Sequence, residues 1–203
     1  MKKIWLTLLI VLTFAGGALA QGGDSADPYA HVDSDAEGQA LLSDVRTRLL
    51  ALYGLGLSQP VVLHLADGPA MDALMASSPY KGAEIGLHRM GRDGIHHIYV
   101  LKGESRDTAG GILAHEYTHA WQSERCPRRQ EQALIEGFAM WVQCKYLQNV
   151  GAYASARNIT ERMADVVYGV GLKAMLAWED EIGDRALVQR VQQVSALSEG
   201  AKP

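Results

Sequence analysis

The chain has 203 residues, 19 Lys and Arg against 23 Asp and Glu, a net charge of −4 and two cysteines. The basic residues are scattered and form no patch, which argues against a nucleic-acid partner. Two cysteines are too few for a disulfide framework, and the length suits one domain with its own core.

The first elements set the compartment. Met1-Lys2-Lys3 is a basic start, residues 4–14 are apolar, and Ala18-Leu19-Ala20 fits a small-x-small cleavage site. Residues 1–20 therefore read as a secretory signal peptide, and the expected location is periplasmic or secreted. No later segment has the composition to cross a membrane, so no stable insertion is expected after cleavage. Residues 21–35, beginning Gln-Gly-Gly-Asp-Ser-Ala-Asp-Pro, read as a flexible leader. Residues 36–203 then form a single domain.

Ser34 or Asp35 can cap a first helix with apolar positions at Leu41, Leu42, Val45, Leu49 and Leu50. A strand follows at 60–66, then a loop or short helix over 71–76. Residues 83–90 and 96–101 flank Gly91-Arg92-Asp93-Gly94, which has hairpin chemistry. His88, His96 and His97 read as surface histidines of that hairpin, since no complete ligand set surrounds them. His64 reads as a strand residue with an ordinary partner. An exposed strand here would offer main-chain hydrogen bonds to an extended peptide.

Next comes His115-Glu116-Tyr117-Thr118-His119, an H-E-x-x-H pentapeptide. On a helix, residues four apart differ in direction by only about 40°, so both imidazoles can reach one metal ion. Glu116 lies on the flank of that face, while Tyr117 points toward the core. Ser105 to Thr108 supply capping residues, Ile112-Leu113-Ala114 lead in, and Pro127 stops the helix, so the motif sits mid-helix.

Glu136 lies in the apolar run Ala133-Leu134-Ile135-Glu136-Gly137-Phe138-Ala139-Met140-Trp141. A buried carboxylate costs several kcal/mol unless it is paired. Its partner is either a metal shared with the two histidines or an arginine such as Arg128 or Arg129. Gly137 would let this helix approach the metal helix closely. Glu124 and Glu131 have polar neighbours and read as solvated. Further helices are expected at 152–167, at 171–181 and after Asp184. Early strands and late helices indicate an α+β fold: a small sheet with a hairpin packed on the metal helix, then a mostly helical C-terminal half.

His115, His119 with Ala120-Trp121 after it, Glu136-Gly137 and Trp141 resemble the gluzincin zinc metallopeptidases. The likeness is greatest to the peptidase domain of the plant LIM-domain growth-regulator peptidases activated by ubiquitin. Residues 98–101, Gly111-Ile112-Leu113-Ala114 and Tyr168-Gly169-Val170-Gly171 extend it over roughly residues 95 to 185. No LIM or ubiquitin-binding module accompanies it. The resemblance implies a zincin-like domain holding one Zn2+ on His115, His119 and Glu136, with Glu116 as general base and Tyr168 as donor to the developing oxyanion. Three protein ligands leave the fourth position of zinc open for water, which Glu116 would deprotonate as it attacks a peptide carbonyl. Many gluzincins place an acidic residue four positions after the glutamate ligand. Here that position is Met140, so the ligand histidines must be oriented by other groups.

The expected activity is therefore an exported zinc metallopeptidase acting on protein or peptide substrates. Two alternatives stay open: a catalytically degenerate zinc-binding module that docks a partner, and a hydrolase of non-peptide amides. Cys126 and Cys144 are a plausible disulfide in an exported protein, contributing on the order of 3 kcal/mol. Otherwise they are two buried thiols.

Overall fold

The computed structural model describes residues 30–76, 85–161 and 168–200. The expected signal peptide, most of the expected leader, and residues 83–84 and 162–167 of two expected elements lie outside them. The end of the expected leader is packed rather than loose. Val32 is buried, its N–H donates to the Glu104 carbonyl at 2.9 Å, and His31 bridges Ser105. The Val32 and Ala30 carbonyls accept in turn from the Gly103 and Arg106 N–H groups, so buried Val32 and three backbone hydrogen bonds dock this stretch on the domain.

Ser34 rather than Asp35 caps the first helix, α1 (Asp35–Tyr53). Its hydroxyl accepts the Glu37 N–H and the Glu37 carboxylate accepts the Ser34 N–H, a reciprocal capping box. Leu41, Leu42, Val45 and Leu49 are buried as their spacing requires. Leu50 falls off that stripe and is 57% exposed. Strand β1 (Val61–Ala66) and the short helix α2 (Gly68–Ala76) follow, then strands β2 (Gly86–Met90) and β3 (His96–Leu101). The sheet order is β1-β3-β2, with β1 parallel and β2 antiparallel to the central β3. β2 is thus an edge strand. Leu63, Ile98 and Val100 are buried on the face covered by α1 and by helix α3 (Arg106–Arg125).

Helix α4 (Gln132–Asn149) packs on α3. Helices α5 (Tyr153–Glu161), α6 (Tyr168–Ile182), α7 (Asp184–Val191) and the single turn α8 (Leu197–Gly200) complete the domain. The result is an α+β fold, mostly helical with a three-stranded sheet among the described residues. No helix among them is long and apolar enough to cross a membrane.

Two contacts fix α4. Toward α3, Phe138 lies between Trp121 and Trp141 with ring centroids 5.7 and 5.8 Å away. Buried aromatics of this size contribute about 1.5–3 kcal/mol each, so this stack sets the spacing of the two helices. Toward α6 the approach is closer. A Cβ on Gly137 would lie 2.3 Å from the Gly171 carbonyl carbon, and one on Gly171 would lie 1.9 Å from the Ala133 carbonyl oxygen. Gly137 therefore serves contact with α6, not with α3 as its place beside Glu136 had suggested. Only paired glycines permit backbone-to-backbone contact of this kind.

Candidate metal centre

The site is built on α3. Ser105 caps the helix by accepting the Thr108 N–H at 3.3 Å, and Leu113 and Ala114 are fully buried just before the motif. This anchors the helix so that His115 and His119 emerge on one side, toward α4. Their Nε2 atoms are 3.1 Å apart and their rings meet edge to face. Tyr117, on the opposite side, is buried in the core as expected.

Glu136 projects from α4 into the same space. Its Oε2 lies 3.3 Å from His115 Nε2 and 3.4 Å from His119 Nε2. Its partners are these two rings and Gln132, not Arg128 or Arg129. His115, His119 and Glu136 thus form a possible metal-binding triad, the only such group among the described residues. The dimensions can be tested. Zinc bonds of about 2.0–2.1 Å in tetrahedral geometry require ligand atoms about 3.3 Å apart. Three separations of 3.1, 3.3 and 3.4 Å meet that requirement without rearrangement.

The electrostatics agree with the geometry. Burial would raise the Glu136 carboxyl, but hydrogen bonds from His115 and His119 outweigh it and hold the group well below the usual carboxylate range. Burial alone would depress His119. The Glu136 hydrogen bond and the charges of Glu116 and Glu136 overcome it and lift the ring to about 9. The pocket therefore stabilises positive charge, and a divalent cation would displace that proton.

Amides orient His119 and Glu136. His119 Nδ1 is 2.9 Å from Gln122 Oε1, and Gln122 Nε2 donates to the Ile135 carbonyl at 3.0 Å, tying α3 to α4. Gln132 Nε2 donates to Glu136 Oε1 at 2.7 Å. Met140, only partly buried, packs against the core and takes no part. His115 Nδ1 is buried with no hydrogen-bond partner among the described residues. Among the described residues that ring is held through Nε2. The sequence reading missed both glutamines, although their spacing carried a signal. Gln122 is three residues after His119 and Gln132 four before Glu136, each on its partner's helix face.

Glu116 is 9% exposed and makes no hydrogen bond among the described residues. It lies against the edge strand. A Cβ on Gly86 would come within 2.9 Å of Glu116 Oε1 and 2.4 Å of Ile112 Cγ2, so only glycine lets β2 approach α3 here. Tyr168 opens α6, whose first turn meets α4 at Ala133 and Gly137. Its side chain lies outside the described structure.

Beside His119 is a cleft of about 190 Å³ bordered by Gln122, Cys126, Arg128 and Ile135. Cys126 is a free thiol, pushed up by burial to about 12, and so is Cys144. The expected disulfide is not formed. Cys126 faces the cleft, whereas Cys144 turns to α5 with its Sγ 4.0 Å from the Ala156 carbonyl oxygen.

Two further expectations fail where α3 meets the sheet. His96 is fully buried rather than on the surface, and Glu124 is largely buried rather than solvated. The two meet at 3.0 Å, and Glu124 also accepts the N–H groups of Ser58 and Gln59 at 2.7 and 2.9 Å. His64 has its expected partner in His97, at 2.9 Å. No protein-family model, curated protein or solved structure matches the chain.

Proposed function

We propose that this chain is an exported zinc metallopeptidase of gluzincin type. The observation that carries the reading is the triangle of His115, His119 and Glu136, closed to tetrahedral dimensions beside an unbonded Glu116. Export rests on the N-terminal sequence.

Zinc bound there would supply Lewis acidity toward a carbonyl and lower the pKa of a coordinated water to about 7. The chain's own groups do the rest. Glu116, with no competing hydrogen bond, accepts the proton of the attacking water and passes it to the leaving amine. A peptide lies extended along β2, whose outer edge has no neighbouring strand among the described residues, and pairs with it through main-chain hydrogen bonds. That alignment sets the scissile carbonyl over Glu116. The cleft beside His119 takes a substrate side chain. Tyr168 is the proposed oxyanion donor, supported by the contact of its helix turn with the α4 segment that carries Glu136.

The test compares wild type with Glu116→Gln for zinc content and for hydrolysis of an internally quenched peptide library. Equal zinc with hydrolysis reduced about 10²–10⁴-fold is expected. Zinc-loaded wild type that cleaves nothing in the library would favour a zinc-binding docking module instead.

A further inference from the structure

The cleft of about 190 Å³ opens directly beside the triad, since His119 and Ile135, the neighbour of Glu136, both line it. A cavity of about 150 Å³ holds a benzene ring, so this one suits a single side chain or a chain end. Cys126, Pro127 and Ile135 give it apolar surface. What it selects is then set by its few polar groups.

Most of those groups are already engaged. Gln122 bonds His119 and donates to the Ile135 carbonyl. Gln130 Nε2 donates to the Val191 and Val194 carbonyls at 2.8 and 3.0 Å, and the Ser123 hydroxyl donates to the Ala120 carbonyl at 2.7 Å. Arg128 differs. It is exposed, lines the same cleft, and makes no hydrogen bond or ion pair among the described residues. Its guanidinium carries a permanent charge and five N–H donors. The acids nearest in sequence do not pair with it: Glu124 is taken by Ser58, Gln59 and His96, and Glu131 Oε2 accepts the Leu197 N–H at 3.0 Å. The backbone that carries Arg128 is nevertheless held. Pro127 restrains the chain on one side, and on the other the Glu131 N–H donates to the Ser195 carbonyl while Gln130 grips the end of α7. An unpaired guanidinium on an anchored connection beside the metal centre is arranged for an external anion, and its fork matches a carboxylate.

We infer that this cleft is a carboxylate subsite, in which Arg128 pairs with an Asp or Glu side chain of the bound peptide or with the peptide's free C-terminus. Arg128 is thereby a specificity-determining residue. The inference rests on the metallopeptidase reading and narrows its substrates to peptides with a carboxylate close to the scissile bond.

The experiment treats a mixture of peptides of known sequence with zinc-loaded wild type and Arg128→Gln, and reads the cut sites by mass spectrometry. A side-chain source predicts Asp or Glu enriched at a fixed position beside the cut. A terminal source predicts cuts close to free C-termini and none close to amidated ones. Replacing that Glu by Gln, or amidating that terminus, should lower wild-type kcat/KM about fivefold, the upper end for an exposed pair, as bidentate geometry allows. Arg128→Gln should not distinguish the two peptides, and Arg128→Lys should retain part of the preference. Zinc-loaded Glu116→Gln, which holds peptide without cutting it, should show the same preference in Kd by calorimetry and lose it when Arg128→Gln is added. Zinc content should be equal throughout. Cleavage without any carboxylate preference, or a preference that survives Arg128→Gln, overturns the inference alone. Failure to take up zinc, or zinc-loaded wild type that cuts no peptide, overturns the metallopeptidase reading and this inference with it.

Discussion

Three pairs of histidines in this domain bring ring nitrogens to nearly the same separation. His115 and His119 on α3 meet at 3.1 Å, His88 and His96 in the hairpin at 2.9 Å, and His64 and His97 across β1 and β3 at 2.9 Å. The pairs differ in where the carboxylate stands. Glu136 faces the same two nitrogens that face each other on α3 and closes a triangle. Glu124 and Asp93 instead take the far nitrogens of His96 and His97. The first arrangement pools lone pairs at one point and suits a cation. The second hands protons along a line and suits a hydrogen-bonded chain. Proximity of histidines therefore does not define a metal centre. The side of the ring that an acid approaches does.

The largest effect should come from turning the first arrangement into a bare pair. Glu136→Ala is expected to lower zinc from about one per chain to a small fraction under the same loading, read by elemental analysis, and to abolish zinc-induced thermal stabilisation. His64→Ala should leave zinc content untouched. Zinc retained by Glu136→Ala would break the comparison.

Gly171→Ala attacks the triangle from a distance. Its Cβ would press on the Ala133 carbonyl and on Gly137 Cα, which are backbone and cannot swing aside. Moving α4 off α6 should cost about 1–3 kcal/mol in urea unfolding and weaken zinc binding, although residue 171 touches no ligand. Zinc affinity unchanged in a destabilised variant would mean that α3 alone sets the site.

Gln122→Leu keeps the volume and removes the amide that does for His119 what Asp93 does for His97. Zinc affinity by competition with a chelator should fall about 10–100-fold. A smaller change would show that packing alone orients the ring.

The smallest effect belongs to the second arrangement. The folded-state pKa of Glu124 is lowered, so its contribution to stability is present above the unfolded carboxylate pKa of about 4.3 and lost as pH falls through the lower folded value. Glu124→Gln should destabilise by about 1 kcal/mol at pH 7, and the difference from wild type should shrink below about pH 4. A difference independent of pH would mean that the carboxylate's charge does not matter.

Much of this site was legible in sequence because its parts are local. The H-E-x-x-H spacing, the Ser105 cap and the apolar run around Glu136 each act within one or two helical turns. The hairpin followed from its Gly91-Arg92-Asp93-Gly94 turn, and β1, β2 and β3 fall close to their expected spans. What sequence hid was set by distant partners. Glu124, in Ser-Glu-Arg near a helix end, reads as solvated until the loop after α1 brings two N–H groups to it. Gly137 marks a close approach without saying to which helix, and the choice of α6 rests on Gly171, more than thirty residues on. The parallel pairing of β1 with β3 likewise spans an intervening helix and strand. Cys126 and Cys144 are a plausible pair in an exported protein, but sequence says nothing of the direction in which each thiol points.

The three metal-facing residues lie within about 20 residues of one another, on consecutive helices joined by a short connection. Closing so short a loop is fast and costs little chain entropy, in contrast to the long-range pairing of β1 and β3. Zinc could therefore be captured by an α3–α4 helical hairpin before the sheet has formed, acting as a template for folding. Gly86 would join last, so the triad would be assembled before the edge strand closes over Glu116.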